Sequence, residues 1–152
     1  MIDTSEITNM EKYGNYKEQM GRLKKAMDTH FLLEALFIEY AIMEDRCESL
    51  LQHSGAFNPE RHKTINGKLK RIEELARNKK APIHKYILAE LIEEIKIWKE
   101  ERNRLIHALV KQELQHNEIS SLAQNGNELL KKMKLKAGNY NKAIERRKAK
   151  GE

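Results

Sequence analysis

The chain is poor in features that would each define a class of protein. It has one cysteine among 152 residues, so no disulfide can form within it, as is usual in a reducing cytoplasm. Its longest stretch without a charged residue is 50–59, about half the length of a bilayer-spanning helix, so we expect no membrane segment. Its first sixteen residues are polar and acidic and lack the apolar stretch of a secretory signal. The sequence therefore predicts a cytoplasmic protein.

Charge is abundant, by contrast, and it is unevenly distributed. Charged residues make up 34% of the chain and prolines number two, which is typical of a soluble helical protein; the length fits one domain, 1–152. Residues 128–152 contain nine Lys or Arg and three Asp or Glu, a balance of +6, whereas residues 1–127 contain twenty of each sign. This basic tail is open to two interpretations, a polyphosphate-binding segment or a solvated helix end that frays.

Apolar residues recur at helical spacing along most of the chain, and no segment alternates as a strand does. The pattern predicts five helices with approximate bounds 4–27, 28–52, 59–79, 82–111 and 118–147. Asn58 and Pro59 resemble the N-cap and first residue of the third helix, and Pro82 closes it. Gly126 and Gly138 are expected to weaken or break the fifth helix. Because the connections are short, the predicted fold is an all-α, antiparallel bundle of four to five helices.

Arg102 occupies a position in the fourth helix that the periodicity reserves for an apolar side chain. On a helical wheel of about 100° per residue, it lies about 20° from Ile95, at the centre of an apolar stripe. The rest of that stripe consists of Leu88, Leu91, Ile92, Trp98, Leu105, Ile106, Leu109 and Val110. Asn103 falls on one shoulder of the stripe, and His107 lies one turn further, about 140° from Arg102. A local distortion or a second chain would have to bring Arg102 and His107 into one cleft.

An unpaired arginine is costly to bury, so Arg102 needs a carboxylate, an interface or a water-filled groove. Glu39 of the second helix sits beside the apolar stripe of that helix and could form the ion pair. Arg46 lies two turns along on nearly the same side. Periodicity thus leaves a structural ion pair and a functional site both open.

The stretch RNRLIH at 102–107 resembles the signature of HEPN (higher eukaryote and prokaryote nucleotide-binding) domains, an arginine and a histidine separated by four to six residues. Asn103 matches the polar residue that frequently follows the arginine in that family. The resemblance covers six residues in detail and the helical pattern of about 28–125.

The loose spacing also fits two other pairs, Arg46 with His53 and Arg77 with His84, so spacing alone does not select a site. The tighter pattern Arg-Asn-x-x-x-His occurs only at 102–107. The pair at Arg77 straddles an expected helix junction, and the pair at Arg46 lacks the polar follower. Context therefore favours Arg102.

The resemblance implies a compact all-α bundle, commonly a homodimer, that cleaves RNA without metal or cofactor in toxin–antitoxin or phage-defence systems. His107 would act as general base on the 2′-hydroxyl or as general acid to the departing 5′-oxygen. Arg102 would bind the scissile phosphate, and Asn103 would orient His107 or a phosphate oxygen. Glu39 and Arg46 would be weaker candidates for orienting or binding the substrate. A two-fold dimer would bring two motifs to one cleft. A small nucleotidyltransferase is an implied candidate for a cognate antitoxin.

The sequence gives little support to other chemistry. It has no HExxH motif, no paired cysteines and no repeated Glu-x-x-His spacing, so no metal site is predicted. Cys47 is interpreted as a small core residue and Trp98 as a core or interface residue. Two rival functions remain beside the ribonuclease. One is a catalytically inactive HEPN-like protein that binds nucleic acid or nucleotide, and the other is a helical interaction module in which Arg102 pairs internally.

Overall fold

A computed structural model of the protein describes residues 9–109, 111 and 115–151, and within these ranges the chain is helical with no strand. The elements in chain order are α1 (Asn9–Asp28), α2 (Leu32–His53), α3 (Ile65–Arg77), a short 3-10 helix (Pro82–Lys85), α4 (Ala89–Ala108) and α5 (His116–Ala149). The predicted all-α bundle is confirmed. None of the described helices combines the length and the hydropathy that a bilayer span requires.

The third helix begins later than the sequence predicts. The Asn58 side chain accepts hydrogen bonds from the backbone N–H groups two and three residues on, which closes a local turn at Pro59. The helix itself starts at Ile65, because Thr64 is extended and its hydroxyl accepts a hydrogen bond from the N–H three residues on. A side-chain oxygen that caps a turn makes the same local bond as one that caps a helix, which is why the expected start at Pro59 is wrong.

The fourth and fifth helices also differ from expectation. The fourth helix was expected to start at Pro82, but Pro82 begins only the 3-10 helix, and α4 starts at Ala89. Val110, near the predicted end of the fourth helix, lies outside the described residues. The helix α5 runs through Gly126 and Gly138 without a break, so the expected interruption is wrong. The tertiary contacts of a helix can outweigh the poor helical propensity of single glycines.

Contacts between the helices fix their directions. The Trp98 indole N–H of α4 donates to the Leu122 carbonyl near the start of α5, and Tyr86 meets Tyr140 near its end, so α4 and α5 are antiparallel as expected. By contrast, α2 and α5 are parallel, because the rings of His30 and His116 meet beside the starts of both helices. We call the end of the bundle where α2 begins, α4 ends and α5 begins the upper end.

Trp98 and Cys47, which the sequence predicts as core residues, are both buried in the core. Trp98 exposes 1% of its surface and Cys47 none, and both belong to one continuous cluster contributed by all five helices. Trp98 is therefore a core residue, with its one polar atom bonded to Leu122. Trp98 faces α5 and Lys99 faces α3, and Arg102, about 40° round α4 from Trp98, lies between these two contacts and faces α2.

Candidate functional site

The guanidinium of Arg102 crosses from α4 to α2 and lies on two aromatic rings. Its central carbon is 4.3 Å from the centroid of Tyr40 and 5.0 Å from that of Phe37, and the residue is half-buried. Phe37 and Tyr40 are three residues apart on α2, so they share one face. The negative faces of the two rings attract the cation and account for a guanidinium at this position in the apolar stripe.

Polar contacts of Arg102 are few. Its Nη1 donates to Oδ1 of Asn103 at 3.1 Å, its Nε is buried without a hydrogen-bond partner, and no carboxylate among the described residues pairs with it. Burial lowers the pKa of Arg102, and the nearby Tyr40 works in the opposite direction. A guanidinium nevertheless stays protonated at neutral pH, so this site carries a full positive charge.

Two carboxylates that act electrostatically on Tyr40 are paired with other cations. Glu44 of α2 binds Lys68 of α3 at 2.9 Å, and Glu100 of α4 binds Lys99 at 2.8 Å. Both lysines expose only 4% of their surface. These two carboxylates bind Lys68 and Lys99, whereas Arg102 has no anionic partner among the described residues.

The helix α3 begins at a lower level of the bundle than Arg102. Lys99 hydrogen-bonds to Asn66 in the first turn of α3, whereas Arg102 lies three residues further along α4, about 4.5 Å nearer the upper end. We call the surface cluster of Phe37 and Tyr40 on α2 with Arg102 and Asn103 on α4 the notch. Asn103 belongs to it because Lys99 and Asn103, one turn apart, lie on the same side of α4.

His107 is not gathered into the same cluster. It is exposed, and neither a hydrogen bond nor a ring contact joins it to Arg102 or Asn103. Because α4 is α-helical from Ala89 to Ala108, no local distortion reduces the angle of about 140° between Arg102 and His107. His107 does follow Asn103 by one turn, at about 40° in azimuth, so it flanks the notch on the solvent side. Within one chain, the structure joins Arg102 to Asn103 and leaves His107 apart.

Glu39 does not form the ion pair with Arg102 that the sequence allowed. It is completely buried, on the side of α2 that faces α5, and neither of its carboxyl oxygens has a hydrogen-bond partner. Burial raises the pKa of Glu39 to about 9, so this carboxyl is protonated at neutral pH. A Cβ built at Gly126 would lie 2.5 Å from Oε1 of Glu39 and 2.8 Å from Cζ2 of Trp98, so the carboxyl occupies the space that a side chain at 126 would need.

Arg46 faces a different helix from Arg102. Its guanidinium binds Asp45 at 2.7 Å and lies 4.2 Å from the ring centroid of Tyr16, which belongs to α1. Its Nε is buried without a hydrogen-bond partner. These contacts tie α1 to α2 and do not bring Arg46 to the notch.

The rival arginine–histidine pairs have their own local contacts. Nδ1 of His53 lies 2.8 Å from the Ser49 carbonyl oxygen, and Nδ1 of His84 lies 2.5 Å from that of Ala76. Arg77 is exposed beside Glu73, at 3.9 Å. These contacts explain the positions of the two histidines within the fold without a functional role.

Four residues of the site were not found by sequence reasoning: Phe37, Tyr40, Lys68 and Lys99. Phe37 and Tyr40 stand three apart on α2, which signals a shared face, but nothing in the sequence says that α4 supplies the cation that covers them. Lys68 and Lys99 each interrupt an apolar face, the same signal that singled out Arg102. In the described part of the chain, no three His, Cys, Asp or Glu side chains come together as a metal site.

Comparison of the chain with protein-family models, with curated proteins and with solved structures finds no match.

Proposed function

We propose that the protein is a metal-independent endoribonuclease of the HEPN type in which Arg102 binds the scissile phosphate. The observation that supports this most directly is a guanidinium held on two aromatic rings, half-exposed, with no carboxylate partner in the described structure. A purely structural arginine at such a position would be expected to have an ion-pair partner. A forked donor with free N–H groups is suited to bind a phosphate.

The remaining roles follow the chemistry of RNA cleavage. The 2′-hydroxyl attacks the adjacent phosphorus, the bond to the 5′-oxygen breaks, and a 2′,3′-cyclic phosphate and a 5′-hydroxyl result. One imidazole removes the proton of the 2′-hydroxyl, and a second donates a proton to the leaving oxygen. Because one chain supplies one His107, directed away from Arg102, we infer that two copies meet with their notches adjacent and contribute one histidine each.

Cleavage by purified, chelator-treated protein tests this function. We expect single-stranded RNA to be cut to cyclic-phosphate and 5′-hydroxyl ends, and His107→Ala to lower the rate by about 10²–10⁴-fold, as for loss of a general acid or base. Arg102→Ala is expected to lower it by about 10²–10³-fold, as for loss of a transition-state donor. Each variant has a control at a different, exposed residue of the same type. Arg104→Ala is the control for Arg102→Ala, and His53→Ala is the control for His107→Ala. Unchanged cleavage in His107→Ala would remove it from the mechanism.

A second candidate function is binding of nucleic acid without cleavage. It is favoured by the separation of His107 from Arg102 and by the basic end of α5, where Lys142, Arg147 and Lys148 are exposed without a carboxylate partner among the described residues. RNA affinity that falls steeply with salt, with no product even at long times, would identify this function in place of the first.

A further inference from the structure

The ring of Phe37 remains largely open to solvent at the edge of the notch. It exposes 54% of its surface although the Arg102 guanidinium lies 5.0 Å from its centroid. Tyr40, one turn along, is half-buried beneath the same guanidinium. Arg102 is therefore anchored chiefly by Tyr40, and Phe37 keeps free ring surface directly beside the cation.

A flat apolar surface beside an unpaired cation is complementary to a nucleotide. A nucleobase offers a π-face that stacks on an aromatic ring whatever its sequence, and the attached phosphate offers the anion. Two carboxylates that act electrostatically on Tyr40, Glu44 and Glu100, are each bound to a buried lysine. Asn103 holds one end of the guanidinium at 3.1 Å and so fixes its plane.

We propose that Phe37 is a stacking platform for an unpaired nucleobase whose phosphate is bound by Arg102. This inference rests on the proposed function, and it specifies the substrate as single-stranded RNA. A base within a duplex presents no free face to an exposed ring, so paired RNA binds only through its phosphates. Arg102 thus supplies affinity for the backbone, and Phe37 supplies the selection for single strands.

The test measures binding without cleavage. The probes are a short fluorescent oligoadenylate with 2′-O-methyl riboses, which lacks the attacking hydroxyl, an abasic ribose–phosphate oligomer of equal length, and the oligoadenylate paired with its complement. We expect Phe37→Leu to weaken binding of the single-stranded oligoadenylate by about tenfold or more, the effect of losing one stacked base. Binding of the abasic oligomer and of the duplex is expected to stay as in the unmodified protein.

Two further variants make the result specific to the ring. Phe37→Trp keeps an aromatic face, so it should retain affinity for oligoadenylate, and its indole emission should be quenched as the base stacks, over the constant emission of the buried Trp98. The matched control is Phe31→Leu, which removes a ring of similar exposure, 62% against 54% for Phe37, that carries no cation among the described residues. This control should leave all three affinities unchanged.

Several outcomes would overturn the proposal. Equal loss of oligoadenylate and abasic binding in Phe37→Leu would show that the ring only positions Arg102. No loss at all, or no binding of any single-stranded probe by the unmodified protein, would remove the platform. A dimer that dissociates in Phe37→Leu, with probe affinity of the monomer intact, would assign Phe37 to a contact between copies. Stacking on Phe37 without cleavage of unmodified RNA would leave the platform standing and reject the ribonuclease.

Discussion

At the scale of single residues, the most unusual group is the carboxyl of Glu39. It is enclosed by Trp98 and by the backbone at Gly126, and no donor satisfies its oxygens. A charge would be very costly there, so the fold holds a proton on Glu39 across the neutral range. This proton links the free energy of unfolding to pH.

We predict that the protein loses stability as the pH rises from about 5 to about 9. The pKa of Glu39 is about 9 in the folded chain, above its ordinary value of 4.5, so unfolding releases a proton throughout this window. The linkage amounts to about 1.4 kcal/mol per pH unit from this group. Urea unfolding of the unmodified protein and of Glu39→Gln at pH 6, 7 and 8 measures it. The difference between the two should grow in favour of Glu39→Gln with each pH step; a constant difference would show that Glu39 ionises normally.

At the scale of elements, the two glycines of α5 behave differently although both lie inside the same helix. A Cβ at Gly126 would collide with Glu39 and Trp98, whereas a Cβ at Gly138 would meet nothing within 4 Å. Gly126 therefore lets α5 approach α2 and α4 closely at the level of the site. Gly138 has no such contact, and nothing in the structure explains it.

Alanine substitutions should separate these two glycines. Gly126→Ala is expected to lower the free energy of unfolding by about 1–3 kcal/mol, because the cost of overpacking exceeds the gain in helical propensity. Gly138→Ala is expected to raise it by up to about 1 kcal/mol through propensity alone. Chemical denaturation of both variants is the measurement. An equal rise in both would mean that Glu39 and Trp98 yield without strain.

Element types and the core follow from the sequence, whereas helix starts and cross-helix partners do not. The apolar periodicity of α2 and α4 correctly placed Cys47 and Trp98 inside, because burial of a stripe is a property of one helix. The start of α3 was missed because Asn58 and Thr64 both offer local caps, and only packing decides between them. Arg102 could be recognised within its own stripe, but the partner expected for it, Glu39, lies on the α5 side of α2, about 100° from Tyr40.

At the scale of the whole molecule, the proposed cleavage would need more than a single copy supplies. The notch contains Arg102 and Asn103, while His107 flanks it on an exposed part of α4. Two-fold association of the upper ends would place a second notch opposite the first and enclose the exposed ring of Phe37 together with the bound RNA. The proposed reaction needs two imidazoles, and such a pair provides them.

Mixing experiments test the need for two copies. When an equal amount of the His107→Ala protein is added and the subunits exchange, cleavage should fall to about half. Half of the active chains then lie in mixed dimers, which lack one of the two imidazoles. The same amount of His53→Ala should instead add activity. Cleavage that ignores the added His107→Ala, together with a monomeric mass by light scattering, would show that one copy suffices.

The complete burial of Cys47 makes its thiol a natural probe for opening of the bundle. Its thiol is fully enclosed and burial raises its pKa to about 12, so a thiol-specific reagent can react only when the bundle opens. As it is the one cysteine of the sequence, the rate of modification would count opening events directly. A nucleotide bound at Phe37, as proposed, should slow that reaction, which gives an assay for ligands in unlabelled protein.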